Sequence, residues 1–160
     1  MPTRDPVVVD FHEQRRSAVV SRMAAMAAAG AGWINLSPGL DVDEPPPERS
    51  GLGALLAARG PTVPLATWAP AQGREPASAG IQHSQGPRAA AMLAERGVPV
   101  PDGWRIRQDH PRRGLVVVPD LAVPTDEAAL DTVLDWLLRA AGALCPVRRT
   151  GEWRAYCYEG

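Results

Sequence analysis

The apolar positions of this chain change period several times, and each change marks an element. Phe11, Ala18, Val19, Met23, Met26 and Ala27 recur at roughly three- and four-residue steps, while His12, Glu13, Gln14, Arg15, Arg16 and Arg22 fill most of the other side. That spacing predicts an amphipathic helix within residues 8–29, ended by Gly30 and Gly32. A cleaner stripe of Leu130, Val133, Leu134, Leu137, Ala141 and Leu144 predicts a long helix with Thr125 as its N-cap. Asp126 and Glu127 in its first turn suit the positive end of the helix dipole, and Asp131, Asp135 and Arg139 line the face away from the stripe. Gly86-Pro87 opens a helix running to Arg96, and Ser50 caps a short one over Leu52 to Arg59.

Period-two stretches fall between these helices. Residues 33–36, 62–69 and 79–84 read as strands, with Pro64 arguing for a strand start or a sheet edge. Residues 103–119 read as two strands facing each other across a polar corner at Asp109 to Gly114. At the end of the chain, Trp153, Ala155 and Cys157 alternate with Arg154, Tyr156 and Tyr158. Asp41 to Arg49 is acidic and carries Pro45, Pro46 and Pro47 in a row, which prevents regular backbone hydrogen bonding. It reads as an exposed connector, with a docking strip for a partner as the alternative.

Hairpin-like pairs outnumber clear strand–helix–strand crossovers. The expected fold is therefore α+β: a largely antiparallel sheet of five or six strands with helices packed on one face. No repeat and no domain boundary interrupts the 160 residues, so residues 1–160 read as a single domain with an exposed acidic loop at 41–49.

Composition narrows the chemistry more than the fold. Hydrophobic residues at 45% and charged residues at 22% are ordinary for a globular chain. All 17 basic residues are Arg, and the absence of Lys excludes P-loop phosphate binding, Schiff-base and pyridoxal-phosphate chemistry and protein-kinase catalysis. The net charge of −1 offers no global field for nucleic acid or an acidic membrane, and neither is an expected partner. No run approaches the roughly 18 apolar residues of a membrane span, and Asp5, Asp10 and Glu13 stand where a secretory leader would carry positive charge. Cys145 and Cys157 fit no zinc spacing, and a reducing cytoplasm is the simpler setting for two such cysteines, with one bridge between them as the alternative.

Charge is distributed unevenly. Residues 81–118 hold six Arg against three acids, whereas residues 119–143 hold one Arg against five. Two candidate sites lie in the basic stretch. At Ile81 to Arg88 a strand runs into a helix start, and Arg88 in the first turn opposes the dipole unless an anion is present. At Gln108 to Gly114, with Arg105, Arg107 and Asp109 alternating onto one strand face, a row of guanidinium groups can grip a carboxylate or phosphate. Arg88, Arg105, Arg107, Arg112 and Arg113 are accordingly the expected ligand-binding residues, with His83 and His110 at the rim. The plain alternatives are an ordinary capped helix and a solvated outer face.

Two other functional classes stay open. In an enzyme reading, His83 and His110 would share a pocket and transfer protons on a small polar substrate. A triad of Ser84, His110 and Asp120 can be written down, but no Gly-x-Ser-x-Gly elbow surrounds Ser84. In an interaction reading, the acidic proline-rich loop or an apolar patch contacts a partner protein. His12, His83 and His110 lack metal-ligand spacing and no dinucleotide fingerprint is present, so no metal and no cofactor is expected. The stretches 80–88 and 103–117 are similar in character to small actinobacterial proteins, a resemblance that brings no activity with it. The ordering of strands that would decide whether the two candidate sites meet, and the oligomeric state, are not written in the spacing.

Overall fold

A computed structural model describes residues 5–41 and 61–160 of the chain. The helix expected at 52–59, and all of the proline-rich loop except Asp41, fall outside the described residues. The elements run β1 (Val7–His12), α1 (Ser17–Ala29), β2 (Trp33–Leu40), β3 (Leu65–Ala69), β4 (Ser78–Gln82), α2 (Ala89–Glu95), β5 (Arg105–His110), β6 (Gly114–Val118), α3 (Glu127–Ala143) and β7 (Arg149–Tyr158). The strands form one sheet in the order β1-β7-β2-β3-β4-β6-β5, and every neighbouring pair is antiparallel.

The α+β class therefore holds, but the sheet has seven strands and not five or six. The extra strand is β1. Its Val-Val-Val run is β-branched and stiff, which favours an extended chain. Phe11 happens to lie in step with the stripe of α1, so a helical period seemed to begin there; in fact Phe11 pairs with Trp153, and the helix starts at Ser17. β1 and β7 occupy opposite ends of the sequence yet pair over their full overlap, from Val7 opposite Cys157 to His12 opposite Glu152.

Alternation sets the core. Val9, Ala155, Leu36, Ala66, Ile81 and Leu115 fall on one cross-strand row, and Cys157, Ile34, Trp68, Ala79 and Val117 on the next. All but Val9 are buried, and they join Val19, Met23 and Met26 of α1 and the stripe of α3 in a single apolar cluster. Ala66 lies between Leu36 and Ile81 on the first row, and Cys157 and Ala79 flank the bulky Ile34–Trp68 pair on the second, so large and small side chains share the space. Burying a Leu or Ile here contributes about 1.5–3 kcal/mol each. Helix α3 contacts β3 and β4, and α1 contacts α3.

The side chains that alternate with these rows, such as Asn35, Thr67, Val116 and Tyr156, are half-buried or exposed. Thr67 Oγ1 donates to Asn35 Oδ1 at 2.8 Å, the Trp33 and Tyr158 rings stack at 4.8 Å between centroids, and Arg154 holds Asp10 at 2.7 Å across the β1–β7 ladder.

The two long helices are tied together at their starts. The cap of α3 is Asp126, whose carboxylate accepts from the Ala129 N–H at 2.7 Å, and not Thr125, whose hydroxyl donates instead to the Ala122 carbonyl. Arg16, just before α1, donates to both oxygens of Asp131 at 2.7 and 3.0 Å and lies 3.3 Å from Asp135. This clasp joins residues 115 positions apart.

The hydrogen bond from Arg16 holds the Asp131 carboxyl below its ordinary range, against a smaller opposing effect of burial. A depressed carboxyl contributes stability above its unfolded value, near 3.9, that is lost as the pH falls through the folded value. Asp131→Asn is therefore expected to lower stability at pH 7 by up to about 1 kcal/mol, with the difference from the parent chain closing as the pH drops below about 4. Urea denaturation of both chains across that range measures it.

Candidate functional site

The two basic stretches meet, and one carboxylate joins them. β4 ends at Gln82, and the chain turns through His83, Ser84 and Gly86 before α2 begins at Ala89. Asp109 Oδ1 accepts from the Ala89 N–H and Oδ2 from the Ala90 N–H, each at 3.0 Å. The start of α2 is thus satisfied by a side chain from β5, 20 residues away. Asp109 can reach because of a β-bulge. Ile106 pairs with Val117 and Gln108 with Val116, leaving Arg107 as the extra residue between them.

The bulge corrects the expected face assignment. Arg105, opposite Val118, shares a face with Gln108, opposite Val116. Asp109, opposite Leu115, is turned onto the core row that runs from Ala155 to Leu115. A carboxylate there needs strong donors, and the first amides of α2 supply them. Arg105, Arg107 and Asp109 do not form a common row.

The arginines accordingly divide into two sets. Arg88 immediately precedes the amides that hold Asp109, and Arg112 and Arg113 occupy the hairpin tip two and three residues beyond His110; all three are exposed. Arg105 begins β5, roughly 17 Å from the tip at strand rise, and Arg107 pairs with Glu75 at 3.3 Å in solvent. Arg88 also adopts a left-handed backbone, with φ of 63°, alone among the described non-glycine residues. Gly or Asn holds that conformation at lower cost; Arg gives up roughly 1 kcal/mol to be there.

The hairpin tip is braced from within. His110 Nδ1 accepts from the backbone N–H groups of Arg112 and Arg113 at 3.1 and 3.2 Å, and Gln108 Nε2 donates to the carbonyls of Arg113 and Gly114. Gly114 takes φ of 85° directly against β4, where any Cβ would collide with the Ile81 carbonyl. The tip therefore presents Arg112 and Arg113 from a fixed turn.

His83 is fully buried. Its Nδ1 accepts from the Gln85 N–H at 3.1 Å, which places the proton on Nε2, and that buried N–H has no acceptor among the described residues. Burial lowers its pKa, and Asp109 opposes that shift only in part. An imidazole without accessible surface does not meet substrate, so His83 and His110 do not present a shared pair of proton-transfer groups. Ser84 is buried as well, while Asp120 lies beside Gly103, past the opposite end of β6 from His110. No triad forms. Among the described residues no group of His, Cys, Asp and Glu could hold a metal ion. His12 accepts from the Gln14 N–H, and Cys145 and Cys157 are free thiols.

Two features of this corner escape a sequence reading: Asp109 as the partner of α2, and the left-handed Arg88. Neither has a local signature, since Arg88 follows a Pro that suggests a helix start, and the bulge that reverses Asp109 is set by packing against β6. Comparison with family models, with curated proteins and with solved structures gives no match for the chain. No helix among the described residues is long and apolar enough to cross a membrane.

Two measurements test this geometry. Asp109→Ala removes the cap of α2 and is expected to cost about 1–2 kcal/mol in denaturant unfolding; a change within experimental error would show that the paired bonds contribute nothing. A buried neutral imidazole makes stability fall as the pH drops below the unfolded value near 6.5, because only the unfolded chain then takes up the proton. Stability should therefore decline from pH 7.5 to 5.5, and His83→Gln should flatten that decline.

Proposed function

We propose that the chain is a single-domain binding module for a carboxylate or phosphate group, carried by a small molecule or a partner segment. In this reading the helices cover one face of the sheet and the hairpin end forms an accessible basic corner. Arg88, Arg112 and Arg113 supply the primary contacts, and Arg105 and Arg107 extend positive charge along β5. The observation that carries the proposal is the pair of bonds from Ala89 and Ala90 to Asp109, which ties the residues just after Arg88 to the strand leading into the braced tip with Arg112 and Arg113. Because Asp109 already occupies the amides of α2, an incoming anion must be held by guanidinium groups. Their planar, paired donors suit carboxylate and phosphate.

The strain at Arg88 supports the same reading. A residue that costs stability where Gly would not is a recurrent feature of binding sites. Arg88→Gly is expected to raise stability by up to about 1 kcal/mol and to weaken anion binding at the same time.

A thermal-shift series with inorganic phosphate, nucleotides and small di- and tricarboxylates tests the function. A ligand at a hundred times its dissociation constant adds about 2.7 kcal/mol, and the gain should disappear in Arg112→Ala/Arg113→Ala while the unliganded melting temperature stays within a few degrees. Stabilisation that survives the double substitution, or none with any of these anions, overturns the proposal.

A further inference from the structure

The outward side chains of the sheet carry a pattern of their own. Tyr156, Asn35, Thr67, Gly80 and Val116 lie opposite one another in register, and Val8 and Gln108 extend the row to the two edge strands. The row therefore crosses all seven strands, and none of its members is charged or buried. One step along the strands, Tyr158 stands beside Trp33, Ala69 beside Ser78 and Val118 beside Arg105. Charge borders this patch: Asp10, Glu152 and Arg154 gather at one corner, and Arg105 sits on the opposite edge strand.

A solvated sheet face ordinarily sets polar and charged side chains in alternation with the core. Charged residues make up 22% of the chain, so their exclusion from the middle of this face is selective. Uncharged residues with Tyr and Trp at the centre and charged ones at the rim are the make-up of a protein–protein contact. The buried side chains of all three helices belong to the cluster formed by the inward rows, which leaves the outward rows to another partner.

The sizes of the side chains select that partner. β3 is the middle strand of the seven, with β2 and β4 next to it, β7 and β6 beyond them, and β1 and β5 at the edges. A two-fold axis running along β3 in the plane of contact lays β2 over β4 of a second copy, and β7 over its β6. Thr67 then meets Thr67, Asn35 and Trp33 come over Gly80 and Ser78, and Tyr156 and Tyr158 come over Val116 and Val118. Each larger side chain falls opposite a smaller one, and an isologous contact requires that self-complementarity. Packed sheets cross at about 30°, so the match is closest beside the axis, where Asn35, Thr67 and Gly80 stand.

The area is sufficient as well. At about 16 Å² of sheet for each strand residue, the seven strands present about 700 Å² on this face, or about 1,400 Å² for a pair. Stable specific interfaces bury about 1,200–2,000 Å². We infer that the chain pairs with a second copy of itself through this face, about a two-fold axis at Thr67. The inference does not depend on the basic corner, since Arg88, Arg112 and Arg113 take no part in these rows.

Sedimentation equilibrium of the full chain tests it. The parent should sediment at twice the 17.1 kDa chain mass at micromolar concentrations. On the axis a substituted residue faces its own copy, so Thr67→Arg and Thr67→Asp should each be monomeric through like-charge repulsion, and an equal mixture of the two should regain the double mass. That recovery distinguishes repulsion from misfolding. Trp33→Glu, at an exposed position off the axis, should weaken association at least about tenfold, with an unchanged circular dichroism spectrum. Arg112→Ala/Arg113→Ala should associate as the parent does, so a failure here and a failure of the anion site are told apart. A parent chain that stays at 17.1 kDa at high micromolar concentration overturns the inference. So does a dimer that survives both Thr67 substitutions, or a mixture of the two that remains monomeric.

Discussion

The sheet stands or falls on the register of β2. Ile34 lies between Trp68 and Cys157, and Leu36 between Ala66 and Ala155, so the same two side chains serve the ladders on both sides. Side chains in a strand alternate, and a slip of one residue on either side would turn a whole inward set to solvent. Leu36 faces Ala66 and Ala155, and Ile34 faces Trp68 and Cys157, so a shifted register sets large side chains against each other or leaves voids. Everything distal to this strand inherits its placement: β3 and β4 carry the row outward to Leu115, and α3 is laid against β3 and β4.

At the far end of that row the rule meets its exception. The residue in line after Leu115 is Asp109, where an apolar side chain would continue the core. The carboxylate is acceptable only because α2 offers two amides at its start, and α2 is short enough that it owes much of its position to that contact. A polar group in an apolar row thus fixes where a helix begins, and through it where Arg88 stands. The basic corner is a by-product of satisfying one half-buried charge.

Part of this was legible in the chain and part was not, for identifiable reasons. α3 and the face assignment of β7 could be read because their apolar periods are long and uninterrupted; Leu130 to Leu144 and Trp153 to Cys157 are buried as their spacing implies. β1 was hidden because it is a sheet edge with Val7 and Val8 exposed, so it lacks a clean alternation, and Phe11 fell into the period of the next helix. The cap of α3 shifted by one position because Thr125 and Asp126 are both good caps and only geometry chooses between them. At the candidate site, the sequence marks where the arginines lie along the chain but not how the fold groups them. A bulge at Arg107 reverses the faces after it, and contacts such as Arg16 with Asp131 or Asp109 with Ala89 span stretches of sequence that carry no mark of one another.

The position of β7 also dictates an order of events during synthesis. It lies between β1 and β2, yet over a hundred residues are made after Leu40 before Arg149 appears. At about 5–20 residues per second that interval is roughly 5–20 seconds. Throughout it, β1 and the outer edge of β2 have no partner, and their exposed amides and valines are open to pairing with other chains. The segment most central to one half of the sheet is the last to arrive. A nascent chain stalled before residue 149 would hold an apolar face with a missing stave, which makes it a natural client for a chaperone that shields unpaired strand edges.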